Sequence, residues 1–108
     1  MKKIKNIHVR GRRWFDKANG NTYCATKVII DDKHVLTTDW TYGYEEFYIQ
    51  LANEELNKLG LIDTTTDSPS GLNTPLWRYC SENDISFSYD VTDGLKRDLV
   101  AFSQDKPE

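Results

Sequence analysis

The feature that most constrains this sequence is the dipeptide Asn19-Gly20, set between two stretches of β-type residues. A type I′ turn needs φ > 0 at both central residues, and Asn-Gly is strongly preferred there. Ile7-His8-Val9-Arg10 comes before the pair, and the run from Thr22 to Ile30 comes after it. The segment reads as a long antiparallel hairpin. A two-residue loop places Ala18 opposite Asn21, Phe15 opposite Cys24, Gly11 opposite Val28 and Val9 opposite Ile30. Side chains alternate along a strand, so these residues share one face with Ile7 and Thr26. That face is mostly apolar and is expected to meet the core, with Arg13 its misfit.

The same register fills the opposite face with His8, Arg10, Arg12, Trp14 and Asp16, opposed by Asp31, Ile29, Lys27, Ala25 and Tyr23. This is a basic stripe with two aromatic residues. Guanidinium groups pair with phosphates and carboxylates, and aromatic rings stack on bases or fill protein pockets. Arg10, Arg12, Trp14, Tyr23 and Lys27 are therefore the candidate binding residues. The competing reading is that Trp14 and Tyr23 pack beneath a later element and leave the arginines as solubilising charge.

Downstream, Asp31-Asp32-Lys33 reads as a second tight turn and His34 to Trp40 as a third strand. A three-residue loop turns Leu36 and Trp40 to the core, and a two-residue loop reverses this. Burying Leu and Trp removes more apolar area, which favours the first. Phe47, Tyr48, Leu51, Ala52, Leu56 and Leu59 recur at helical spacing within a helix expected over Tyr44 to Leu59, with Gly60 as its C′ residue. The stretch Asp63 to Asn73 is polar and is expected to be a surface loop. Thr74-Pro75 reads as an N-cap and N1 pair opening a short helix to Glu82, which buries Leu76, Tyr79 and Cys80. Ile85 to Thr92 alternates apolar and polar, the pattern of a half-buried strand in an antiparallel sheet or at an edge. Leu95 to Glu108 is compatible with a short helix or a tail. The order β-β-β-α-α-β defines an α+β domain: an antiparallel meander, two helices and a further strand. Residues 1–103 form the expected domain, and residues 104–108 are expected to fray.

The chain is 108 residues long, 38% hydrophobic and 12% aromatic, enough for one core and no more. No apolar run approaches the ~20 residues of a membrane span, and Met1 to Asn6 lacks the apolar stretch of a secretory signal. Cys24 and Cys80 show no paired spacing, which suits a reduced, cytoplasmic setting with both thiols buried. The net charge of −3 is uneven. Residues 1–17 carry seven basic groups against Asp16, and the remainder carries seven basic and sixteen acidic groups. Such asymmetry points to an anionic partner for one region, or to an edge strand guarded by cations.

No motif for catalysis, phosphate cradling or dinucleotide binding occurs, and the Cys and His spacings fit no zinc pattern. Catalytic residues, cofactor and metal are expected to be absent. Tyr42 and Tyr44 flank Gly43 at the strand-to-helix corner and form a second candidate surface, since aromatic rings either wedge such corners or serve as protein hot spots.

At Arg10-Gly11-Arg12-Arg13-Trp14-Phe15, at Gly20-Asn21-Thr22-Tyr23 and at Tyr42-Gly43-Tyr44, the chain resembles a group of small bacteriophage and mobile-element proteins that share these segments. The resemblance covers residues 4 to 60. It implies a bacterial cytoplasmic setting and a protein that inhibits or modulates a host macromolecule, a defence component among the candidates. It supplies no catalytic residues. The β-β-β-α opening also looks like the sheet-plus-helix DNA-binding domains of plant transcription factors and phage integrases, in element order alone. The leading expectation is a non-enzymatic binding protein with a host protein as partner. A nucleic-acid-binding module using the basic face is the second expectation and a small-molecule enzyme the third. A homodimer through an unpaired fourth strand is compatible with the pattern, and a membrane partner is not expected.

Overall fold

The computed structural model describes residues 3–64 and 74–107. Strands β1 (Asn6–Asp16), β2 (Asn21–Ile30), β3 (Lys33–Thr37) and β4 (Thr41–Tyr42) precede helices α1 (Phe47–Lys58) and α2 (Leu76–Glu82). Strand β5 (Ser86–Gly94) and helix α3 (Lys96–Gln104) follow. The result is an α+β domain with one mixed sheet. Its order is β3-β2-β1-β5, with β4 continuing the β3 side of β2. Among the described residues no helix is long and apolar enough to cross a membrane. Most of the expected surface loop, from residue 65 to 73, lies outside the described residues.

The hairpin forms with a register two residues away from the expected one. Val9 lies opposite Val28, Gly11 opposite Thr26 and Trp14 opposite Tyr23. The turn runs from Lys17 to Gly20 because Asp16 takes hold of it. Its carbonyl accepts from the Gly20 N–H at 2.7 Å, and its carboxylate accepts from the Ala18 N–H and the Asn19 amide at 3.1 and 2.8 Å. A slip of two leaves every side chain on its original face. Ile7, Val9, Cys24, Thr26 and Val28 are buried on the core face as expected. Phe15 is the exception: it is more than half exposed at the strand's end.

At the second turn Asp31 and Asp32 both adopt φ > 0, and Ile30 pairs with Lys33. This is a two-residue turn, not the expected three. The Asp31 carboxylate fixes it by accepting from the Lys5 and Asn6 N–H groups at 2.9 and 3.0 Å. A bulge then restores the facing: Ile29 opposes His34, Val28 opposes Leu36, and Val35 is the extra residue. Leu36 is buried as expected. Trp40 is not on the core face. The strand stops at Thr37, so alternation no longer governs Trp40, and its ring meets the edge of Tyr23 on the other side of the sheet.

Helix α1 starts at Phe47, three residues later than expected, because Glu45 sits in the left-handed region at φ 56. Its end follows the expected motif. Gly60 has φ 72, and the Leu61 and Gly60 N–H groups donate to the Leu56 and Asn57 carbonyls. Leu59, at the C-cap, is exposed rather than part of the buried stripe. In α2 the N-cap is Pro75, not Thr74. The Thr74 N–H is engaged with the Thr64 carbonyl at 2.7 Å.

The largest departure concerns β5. It pairs with β1 in parallel, Val9 opposite Tyr89 and Gly11 opposite Val91. The chain returns through α1 and α2, and such a crossover delivers a parallel strand, whereas a tight hairpin delivers an antiparallel one. Ile7, Val9, Val28, Tyr48, Ala52, Leu56 and Leu76 make the main core between the sheet and α1 and α2. A second, smaller core lies on the other face, where Leu99 and Phe102 of α3 cover Ala25. Asp105 and Lys106, inside the segment expected to fray, reach back to the sheet. Lys27 donates to Asp105 at 2.6 Å, and Lys106 donates to the Thr37 carbonyl and to Asp39, each at 3.1 Å.

Candidate binding surface

Arg10, Arg12, Trp14, Tyr23 and Lys27 share one face of the sheet, as the alternation requires. Helix α3 lies across it. Leu99 is fully buried there, and Trp14 and Tyr23 pack against the small core. The Phe102 ring sits under two cations, with the Lys27 Nζ 4.4 Å and the Arg12 guanidinium carbon 5.6 Å from its centroid. Arg12 Nε is buried without a hydrogen-bond partner among the described residues.

The acidic majority of the chain returns to neutralise the basic first strand. Arg10 pairs with Asp90 at 3.4 Å. Lys27, only 16% exposed, pairs with Asp105 at 2.6 Å and holds that carboxyl below its ordinary range. Arg13, the misfit of the core face, donates to both Asp93 oxygens at 2.8 and 3.2 Å and to the Glu45 carbonyl at 2.8 Å. The Asp93 hydrogen bond is the main reason its guanidinium is held charged beyond the ordinary range. Much of the basic stripe is thus absorbed by folding, where it anchors α3 and β5, and Arg13 on the opposite face anchors β5 and the turn before α1.

What stays open lies at the aromatic end of this surface, at Tyr42 and Tyr44. Trp14 stacks on Tyr23 at 5.5 Å, Tyr23 meets Tyr42 edge-on at 6.0 Å, and Tyr42 meets Tyr44 at 6.5 Å. The two surfaces that the sequence suggested separately are one chain of rings, running from the α3 side past β4 to the helical side. Tyr44 then enters the rim of a groove of about 910 Å³ bounded by α1, α2 and β5. Tyr42, Tyr44, Trp77 and Tyr89 line it and are each more than half exposed. Gly43 lets the corner close, since a Cβ there would run into the Phe47 ring. Glu45, Glu46 and Glu54 line the same groove, all exposed. None of the three enters an ion pair among the described residues.

Trp77 and Tyr89 were not singled out by the sequence. Trp77 carried a signal, because it falls outside the Leu76, Tyr79, Cys80 stripe and is an apolar residue on a solvent face. Tyr89 carried none, since its place in an alternating strand predicts burial.

Other chemistry-bearing residues disperse. His8 lies between Ser88 Oγ at 2.7 Å and Asp90 Oδ2 at 3.2 Å. His34 contacts the Leu36 carbonyl and the Thr37 hydroxyl, so the two histidines do not meet. Burial pushes the Cys24 and Cys80 thiols up to about 11, leaving them protonated and unreactive at neutral pH. Among the described residues no three His, Cys, Asp or Glu side chains are placed to hold a metal. Comparison with protein-family models, with curated proteins and with solved structures finds no match for the chain.

Proposed function

We propose that this chain is a non-enzymatic binding protein, of the phage type its shared segments resemble, which engages a protein of the bacterial host through the aromatic groove and modulates or inhibits it. The observation that carries the reading is the cluster of Tyr42, Tyr44, Trp77 and Tyr89, each more than half exposed around one concavity. Tyr and Trp offer large contact area at low entropy cost and dominate protein-binding hot spots. The same residues as simple corner wedges would be covered, and these four are not.

The nucleic-acid alternative has less support. Arg10 and Lys27 are engaged by Asp90 and Asp105, and the open aromatic surface is lined by glutamates, which repel phosphate.

The test is affinity capture from nuclease-treated bacterial lysate, comparing the wild type with a Tyr44→Ala, Trp77→Ala double variant. A host protein retained by the first and lost by the second supports the reading. Equal retention by both discards the groove. A gel-shift series on DNA and RNA at low salt accompanies it, and a shift abolished by Arg10→Ala would transfer the function to the basic face.

A further inference from the structure

Resting on that reading of the groove, the geometry points to the way in which the partner docks: an extended basic segment adds to the sheet as a new strand along the open edge of β5, with alternate side chains in the groove.

The two ends of the sheet are unlike. The β3 edge carries the usual protections against unwanted pairing. It is short, at five residues, it carries Lys33, it is bulged at Val35, and Lys106 occupies the Thr37 carbonyl. The β5 edge has none of these. It runs nine residues, Ser86–Gly94, without a Pro, Lys or Arg. It pairs with β1 in unbroken register along its whole length, and among the described residues it is the last strand in the sheet order.

The side chains along this edge choose the occupant. Phe87 and Tyr89 form the groove's sheet-side wall and meet at 5.6 Å between ring centroids. A strand laid beside β5 at the ordinary spacing of about 4.8 Å turns every second side chain toward that wall and the rest toward Ser88, Asp90 and Thr92. On the groove side the charges are Glu45, Glu46 and Glu54, without cationic partners among the described residues. On the other side Asp90 remains 49% exposed despite its ion pair, and Asp93, on the same face of β5 as Phe87 and Tyr89, remains 73% exposed despite its own. Both faces of the incoming strand therefore meet acid, and the groove face also meets aromatic rings that attract cations. A segment alternating Lys or Arg with β-branched residues satisfies both. A second copy of this chain does not, because its own β5 would bring two more aspartates to an acidic edge.

The experiment uses the full chain and three synthetic eight-residue peptides: one alternating Lys and Val, one alternating Glu and Val, and the Lys/Val peptide N-methylated at alternate residues. Affinity is read by fluorescence anisotropy and location by amide hydrogen exchange. The expected result is that the Lys/Val peptide binds at least tenfold more tightly than the Glu/Val peptide and slows exchange within Ser86–Gly94. N-methylation on the bonding side and the triple variant Glu45→Gln, Glu46→Gln, Glu54→Gln should each weaken it tenfold or more. Binding that ignores N-methylation overturns strand addition while leaving groove docking intact. No preference for Lys over Glu, or no binding at all, overturns the inference, whereas the capture experiment with the Trp77 variant judges the groove itself. Sedimentation equilibrium showing a dimer dispersed by Tyr89→Lys would assign the edge to a second copy and likewise overturn it.

Discussion

Tyr48 lies directly over Gly11, so closely that a Cβ at residue 11 would stand 2.5 Å from Tyr48 Cδ2 and 2.6 Å from Cγ. Helix α1 reaches the sheet at this point because β1 has no side chain there. Tyr48 is almost wholly buried, and desolvation pushes its phenol pKa up. Gly11→Ala should cost about 1–3 kcal/mol by overpacking. For a domain of this size that lowers Tm by roughly 4–8 °C per kcal/mol, measurable by calorimetry. An unchanged Tm would mean that α1 can ride up without loss.

A second point of sensitivity is the polar cluster under the end of α1. The Thr64 hydroxyl donates to Asn53 Oδ1 at 2.6 Å and accepts from the Asn57 amide at 2.7 Å, while the Asn53 amide donates to the Thr74 carbonyl at 3.0 Å. Asn53 and Thr64 are both buried. Either Asn53→Ala or Thr64→Val strands a buried partner and should cost about 1–3 kcal/mol. Because they share a bond, the double variant should lose less than the sum of the two in urea unfolding.

The two thiols set an alkaline limit. Burial raises Cys24 and Cys80 from an ordinary value near 9 to about 11. Between those values the unfolded chain has released protons that the folded chain keeps. Their contribution is therefore complete below about pH 9 and is lost as pH rises through about 11. Tm measured from pH 7 to 11 should be flat at first and then fall, and Cys24→Ala, Cys80→Ala should flatten the fall. At pH 8, iodoacetamide should label neither thiol until denaturant is added.

Helix α3 is held by few residues, with Leu99 fully buried at its centre. Leu99→Ala should cost about 2–5 kcal/mol and loosen the stacked Trp14–Tyr23 pair, seen as lost near-UV circular dichroism with far-UV signal retained.

The facing of the first two strands was legible in the sequence because alternation is insensitive to a slip of two. Asp16 moved the turn from Asn19-Gly20 to Lys17–Gly20 and left the basic stripe where it was. Leu36 reached the core by a route that alternation does not describe, a tighter turn offset by a bulge at Val35. The parallel direction of β5 was not legible, since alternating residues fix which side a strand buries and not which way it runs. The fate of the basic stripe lay in the last dozen residues, where Leu99 and Phe102 carry too short a pattern to announce a helix that covers a sheet. Groove residues escaped for the same local reason: Tyr89 is exposed because it lines a groove between α1 and the start of α2, not by anything in its own strand.

The pairing of β1 with β5 joins Asn6 to Ser86 and Trp14 to Gly94, partners separated by eighty positions. On a translating ribosome the opening hairpin emerges early, and one flank of β1 stays bare until Gly94 has cleared the exit tunnel. Contacts of such sequence separation slow folding and lengthen the interval in which Ile7 and Val9 face the cell unshielded. Until β5 emerges the nascent chain is therefore an incomplete sheet, the stage at which chaperones and proteases compete for it.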